Sequence, residues 1–352
     1  MKVDDSRLRL LLGALFIFAL VLIAYRPILP GSFLMDDRRL IEEDNPIVTG
    51  QLGPSTVWFQ TEWAFSTFAF WAQWLAWGAR PGWYHAVNMA LHALSAVLLW
   101  RLLARLKIPG AWLAGAVFAV HPVAVASVAR IAELKNTLSL PFFLLAALFY
   151  VRYEDASLPR NQSSPERQGR PAALWYGLSL AAFVLALLSK TSTVMLPLLL
   201  LGGAAFRRGQ VTGRDVICAS PFFALALAFG LMSAWFQKHL YLPGLTLAPE
   251  SFGERLALAG RAFWFYLGKA LLPVNLNLVY PRWKTDASSL MSFLPVLLIG
   301  AALLLCWRFR RAWGRPAFLG LAVFAITLFP ALGLINSQFL TRWQVSDRKS
   351  VV

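Results

Sequence analysis

Long apolar runs recur along this chain and leave it few ways to fold. A helix needs about 20 predominantly apolar residues to cross the hydrocarbon core of a bilayer. Such runs lie near 8–28, 84–104, 110–129, 135–152, 173–189, 191–206, 215–236, 290–307 and 317–335, so nine spans are expected. Of the 352 residues, 58% are hydrophobic and only 14% are charged, too little polar surface to cover a water-soluble globule. The predicted fold class is an all-α polytopic transmembrane helical bundle of about nine spans, with interfacial or re-entrant helices beside them.

The net charge of +16 sits in short basic clusters between the apolar runs, around Lys2/Arg7/Arg9, Arg101/Arg105/Lys107, Arg152 to Arg170, Arg207/Arg208/Arg214 and Arg308/Arg310/Arg311/Arg315. Basic clusters of this kind mark cytoplasmic loops. No basic helix face or stacking platform accompanies them, so no nucleic-acid partner is expected. The run from Leu8 to Ala24 exceeds a signal-peptide core and has no small-x-small cleavage site near Arg26, Pro27 and Pro30, and it reads as a retained first span. With the N-terminus cytoplasmic, every basic cluster returns inside if two further stretches do not cross. The stretch 57–79, with Trp58, Trp63, Trp71, Trp74 and Trp77, has a headgroup-level composition and reads as an interfacial helix. The stretch 256–273 carries Arg261 and Lys269 and reads as re-entrant or lying in the interface. The expected location is a bacterial-type inner (plasma) membrane, with a first outer loop at about 30–83 and a polar cytoplasmic linker at about 153–172.

In this orientation the ionisable residues outside the basic loops gather on the non-cytoplasmic face, and such residues at the lip of a bundle are functional candidates. Asp36 and Asp37 follow the first span; a carboxylate there takes a proton from a hydroxyl or helps hold a divalent ion, or the pair belongs to an acidic solvated loop with Glu42, Glu43 and Asp44. Arg130, Glu133 and Lys135 in VARIAELKN hold a phosphate, with Glu133 orienting a cation, or form a surface ion pair in an outer turn. Lys190, between two apolar runs, is a second phosphate ligand or a snorkelling anchor. Tyr280, Arg282 and Lys284 precede the eighth span. His85, Asn88 and His92 share one helix face at a spacing suited to interhelical hydrogen bonds more than to a chelate, and His121-Pro122 breaks the third span near its outer end. Cys218 and Cys306 lie in apolar runs and read as packing residues. No Walker loop, dinucleotide fingerprint, zinc pair or nucleophile elbow is present, which turns attention to membrane substrates.

The segments FLMDDRRLIEEDNP, WYHAVNMALHALSAVLLW, VFAVHPVAVASVARIAELKNTLS, LALLSKTS and YLGKALLPVNLNLVYPRW, in order and over nearly the whole chain, resemble successive landmarks of the GT-C-fold protein O-mannosyltransferase-like family, whose members commonly carry C-terminal tetratricopeptide repeats. The resemblance implies a GT-C-like glycosyltransferase core over 1–346. Such an enzyme transfers a sugar, with inversion, from a polyprenyl- or dolichyl-phosphate to an acceptor that is often a protein Ser or Thr, on the extracytoplasmic face. Carried onto this sequence, Asp36 or Asp37 is the base, Glu133 assists, and Arg130, Lys135, Lys190 and Arg282 bind the donor phosphate. The lipid-phosphate sugar is a co-substrate, no resident cofactor is implied, and a divalent metal at Asp36/Asp37 stays an open alternative. Two departures bear on donor or acceptor handling: AFSTFAFWAQ stands where relatives often have Tyr-Arg-Pro-Leu, and LSKT replaces LSKE.

Relatives continue past the point where this chain stops at QVSDRKSVV, so it reads as a truncated piece. Residues 347–352 are encodable by the start of a common sequencing-library adapter, and are expected to be a non-native tail. Other readings are an enzyme acting on a cell-envelope glycan or lipid, a transporter, which would place its ionisable residues along a midplane path, and a non-catalytic membrane scaffold.

Overall fold

The computed structural model describes residues 5–34, 36–41, 58, 61–157, 172–236, 238–239, 251–277, 280, 283, 288–311 and 313–334. Arg282, Lys284, Glu42, Glu43, Asp44, most of the 153–172 linker and the 347–352 tail lie outside the described residues.

All regular structure among the described residues is helical: α1 (Asp5–Tyr25), α2 (Asp36–Ile41), α3 (Ala64–Trp77), α4 (Pro81–Arg105), α5 (Ala111–Val120), α6 (Val125–Ala129), α7 (Leu134–Ser157), α8 (Ala172–Ser189), α9 (Leu196–Arg208), α10 (Gly213–Phe236), α11 (Phe252–Leu271), α12 (Leu294–Arg308) and α13 (Gly314–Leu328). Among the described residues, six helical stretches are long and apolar enough to cross a bilayer: Arg7–Ile28, Pro81–Arg105, Ile131–Ser157, Ala172–Ser189, Gly213–Phe236 and Leu290–Arg308. The chain is a multi-pass all-α membrane protein. Many large apolar side chains face outward as a lipid solvent demands, with Leu11, Leu15 and Ile23 of α1 all exposed.

Three of the nine expected spans are not single helices of spanning length among the described residues, for reasons local to the backbone. Ala111–Val120 and Pro122–Ala129 make a seventh span only as a pair bent by 49°. Pro122 bars the helical conformation at the residue before it, and His121 is extended. Residues 191–206 begin with a 3-10 turn, Thr191–Met195, after an extended Lys190, which leaves α9 only 13 residues. In 317–335 the apolar helix is shorter than a full span. The Trp-rich α3, at 14 residues, is about 21 Å long at 1.5 Å per residue, short of a hydrocarbon core about 30 Å thick.

The chain divides into two compact units, Met1–Leu196 and Pro197–Val352. In the first, α7 and α8 form the most extensive helix pair, α4 packs on α1, α5 and α7, and Ser179 Oγ donates to Ala146 O across the α7–α8 seam at 2.7 Å. One apolar cluster joins Ile17, Val21 and Tyr25 of α1 to Met89, Ala93 and Ala96 of α4. A second gathers Phe33, Ile41, Tyr84, Ile131 and Leu134 beneath the polar end described below. In the second unit, α11 starts at a reciprocal cap between Ser251 and Glu254 and lies on α12, where Trp264 Nε1 donates to Pro295 O at 2.9 Å.

The α4–α5 approach is set by Gly115. A Cβ there would stand 2.9 Å from both Ala96 O and Trp100 Cβ, whereas one at Gly177 of α8 would meet nothing within 4 Å. Gly115→Val is therefore expected to destabilise the protein by about 1–3 kcal/mol, read as a lower thermal midpoint in detergent. Gly177→Val should leave the midpoint close to wild type, and equal midpoints for both variants would contradict this packing.

Candidate functional site

The polar end of the first unit is built around one carboxylate. After α1, a 3-10 turn over Arg26–Ile28 carries the chain across to Leu34. There Asp37 Oδ2 accepts the Leu34 N–H at 3.0 Å, and Asp37 N donates back to Leu34 O at 2.9 Å, closing the turn that opens α2. The other oxygen, Asp37 Oδ1, accepts the Ala132 N–H at 2.6 Å, in the turn between α6 and α7. Asp37 is 2% exposed. With both oxygens committed to backbone donors, it fastens the segment after the first span to the start of α7.

That second turn, Ile131–Glu133, is held from α4 as well. Asn88 Nδ2 donates to Arg130 O at 3.0 Å, and Asn88 Oδ1 accepts from Thr137 Oγ1 at 2.8 Å. Between these anchors the Arg130 guanidinium reaches Asp36 Oδ2 at 3.2 Å with Nη2 and Glu133 Oε1 at 3.4 Å with Nη1. The Asp36 side chain is 44% exposed, so the two adjacent acids have opposite surroundings. Glu133 Oε2 accepts from Asn136 Nδ2, and Asn136 Oδ1 accepts from Lys190 Nζ. Lys190 stands at the end of α8, where the preceding carbonyl, Ser189 O, accepts from Ser66 Oγ of α3 at 2.9 Å. Burial pushes the Lys190 ammonium pKa down; the Glu133 charge opposes this and the Lys135 charge adds to it. Lys135 Nζ lies 4.5 Å above the Trp63 ring.

Asp36, Asp37, Arg130, Glu133, Lys135 and Lys190 thus meet at one end of the first unit. Arg282 lies outside the described residues. Of the helix-face trio, Asn88 grips the Arg130 turn, and His92 Nε2 bonds Ala119 O at 3.0 Å, an interhelical bond. His85 is 4% exposed with neither ring nitrogen hydrogen-bonded, and it packs so closely that a Cβ on Gly31 would be 3.0 Å from Nε2. His121 accepts the Val123 N–H at 3.3 Å and caps the turn at the bend. Sequence reasoning passed over Asn136, Thr137 and Ser66. The only clue to Asn136 was its place beside Lys135 in AELKN.

The set does not fit a divalent ion as it stands. Both Asp37 oxygens face N–H groups, Asp36 faces a guanidinium, and no group of three or more His, Cys, Asp or Glu among the described residues is arranged to hold a metal. What the arrangement offers is one accessible carboxylate paired with Arg130, with Lys190 farther along the same chain of contacts. That suits removal of a proton close to a place where negative charge develops.

No family model matches the chain, and no solved structure matches it. It is similar to a protein named Protein O-mannosyl-transferase Tmtc1 from Drosophila melanogaster, 32% identical over 152 residues, covering 38% of this chain and 18% of that protein. It is also similar to Protein O-mannosyl-transferase tmtc2 from Xenopus laevis, 30% identical over 155 residues (38% and 18%), and to Protein O-mannosyl-transferase F38B6.6 from Caenorhabditis elegans, 28% identical over 157 residues (39% and 23%). The matched part of the chain spans only about a fifth of the length of these curated relatives.

The opposite surroundings of the two acids give opposite mutational signatures. Asp37→Asn turns an NH2 toward a buried N–H and should cost about 1–3 kcal/mol of stability, seen as a lower thermal midpoint in detergent. Asp36→Asn removes a half-exposed ion pair and should cost about 1 kcal/mol or less. Equal losses in the two variants would overturn the distinction.

Proposed function

We propose that this chain carries the core of a GT-C-type membrane glycosyltransferase. It moves a hexose, mannose by analogy with the named relatives, from a polyprenyl-phosphate carrier to a Ser or Thr hydroxyl of a protein acceptor, on the extracytoplasmic face of a bacterial-type inner membrane with the N-terminus inside. The observation that carries the reading is the continuous polar chain Asp36, Arg130, Glu133, Asn136, Lys190, which sets an accessible carboxylate beside clustered positive charge.

In this reaction the donor is already activated by its phosphate, so the protein supplies a base and charge stabilisation. The acceptor hydroxyl oxygen attacks the anomeric carbon from the face opposite the phosphate. A new C–O bond forms, the bond from that carbon to the phosphate oxygen breaks, and its electron pair leaves on the lipid phosphate. The hydroxyl proton passes to Asp36, and the anomeric configuration inverts. Arg130, Lys190 and Lys135 offset the negative charge that grows on the departing phosphate. Glu133 holds the Nη1 end of Arg130, while Asp36 meets Nη2, and keeps the guanidinium oriented.

The test is transfer from a radiolabelled polyprenyl-phosphate hexose in membranes carrying the full-length gene product. Wild type should label protein Ser or Thr, and Asp36→Asn should lower the rate by about 10²–10⁴-fold while inserting normally. A correctly inserted Asp36→Asn variant that transfers at the wild-type rate would remove Asp36 as the base.

A further inference from the structure

The residue that joins the acidic half of this site to its most buried cation is neutral, and its neutrality has a consequence. Asn136 Nδ2 donates to Glu133 Oε2 and, at 3.3 Å, to Ser127 Oγ, while Oδ1 accepts from Lys190 Nζ. The amide can face only one way. An ammonium only donates and a carboxylate only accepts, so turning the group over would set NH2 against Lys190 and C=O against Glu133. An aspartate has the same shape, yet it would meet Glu133 as a like charge and hold Lys190 as an ion pair.

We propose that Asn136 is a positioning residue that fixes the Lys190 ammonium in place without cancelling its charge, reserving that charge for the phosphate of a lipid-phosphate ligand. The inference rests on the glycosyl-transfer reading for its ligand, but its geometry does not depend on the reaction. A carboxylate in this position would satisfy Lys190 in the resting site and compete with an incoming phosphate for the same ammonium. The amide oxygen, carrying only a partial charge, holds the side chain and yields to a full anion. Glu133, the nearest carboxylate in this chain of contacts, is already engaged by Arg130 and by the Asn136 NH2. Burial works against the Lys190 charge, and the nearby Glu133 carboxylate opposes that effect.

The experiment uses the full chain in lipid bilayers as wild type, Asn136→Asp and Asn136→Ala. Two quantities are read: the pH midpoint of Lys190 modification by an amine-reactive reagent, followed by mass spectrometry, and the protection of Lys190 by farnesyl phosphate. Asn136→Asp should raise the midpoint by about one unit or more and weaken protection about tenfold or more. Asn136→Ala should lower the midpoint, and a loss of fold alone would not move the two variants in opposite directions. With the sugar donor, Asn136→Asp should raise KM about tenfold and reduce kcat on the order of tenfold to a hundredfold. Unchanged midpoints, or protection by farnesyl phosphate equal in wild type and Asn136→Asp, would overturn the proposal. Opposite midpoint shifts and protection, together with no sugar transfer by wild type, would instead leave Asn136 assigned and remove the glycosyl-transfer reading.

Discussion

Two short hydrogen bonds to one buried carboxylate hold this site together. Asp37 accepts the Leu34 N–H and the Ala132 N–H, donors that belong to segments separated by the five helices α2 to α6. The Ala132 donor is buried, and an unpaired N–H there would cost free energy comparable to a lost hydrogen bond. Satisfying both with one side chain fixes the exit from the first span against the start of α7. Once that register is set, Asp36 falls beside Arg130 and the turn carrying Arg130 and Glu133 has no freedom left, because Asn88 grips it from below.

The neighbouring acids therefore divide two tasks. The buried one secures the backbone, and in the proposed reaction the accessible one takes the acceptor proton. The cations are prepared differently from one another: Arg130 is forked between two carboxylates, Lys135 rests on an indole face, and Lys190 is held by an amide. Positive groups fixed before the reaction need little rearrangement when negative charge appears, which is the physical basis of electrostatic preorganisation. A site at the end of a helical bundle, with partners drawn from α2, α3, α7, the turn before it and the end of α8, gives that fixity through the helices themselves.

Much of the architecture was legible in the sequence because apolar runs report directly on a lipid solvent. The runs marked the helices, and the spacing of Asn88 and His92 pointed to interhelical hydrogen bonds that the structure contains. The count of spans was less legible, since run length ignores the backbone. His121-Pro122 bends one stretch and the extended Lys190 shortens another, and both breaks are conformational, not compositional. The roles of Asp36 and Asp37 stayed open in the sequence for a different reason. Their local contexts are nearly identical, and what separates them is a donor 95 residues away from Asp37. Asn136 gave little signal beyond its place beside Lys135, because a single Asn in a helix carries no pattern until the groups on either side of its amide are known.

The central claim is that Arg130 and Lys190 receive the phosphate of a lipid carrier beside Asp36. The most direct measurement is a cryo-electron microscopy structure of the full-length protein in a nanodisc with a non-hydrolysable polyprenyl-phosphonate sugar. The account predicts phosphonate oxygens at about 3 Å from the Arg130 guanidinium and the Lys190 ammonium, with the anomeric carbon facing Asp36. A well-ordered ligand whose phosphonate lies elsewhere, with the Asp36–Arg130 and Asn136–Lys190 contacts intact, would contradict it.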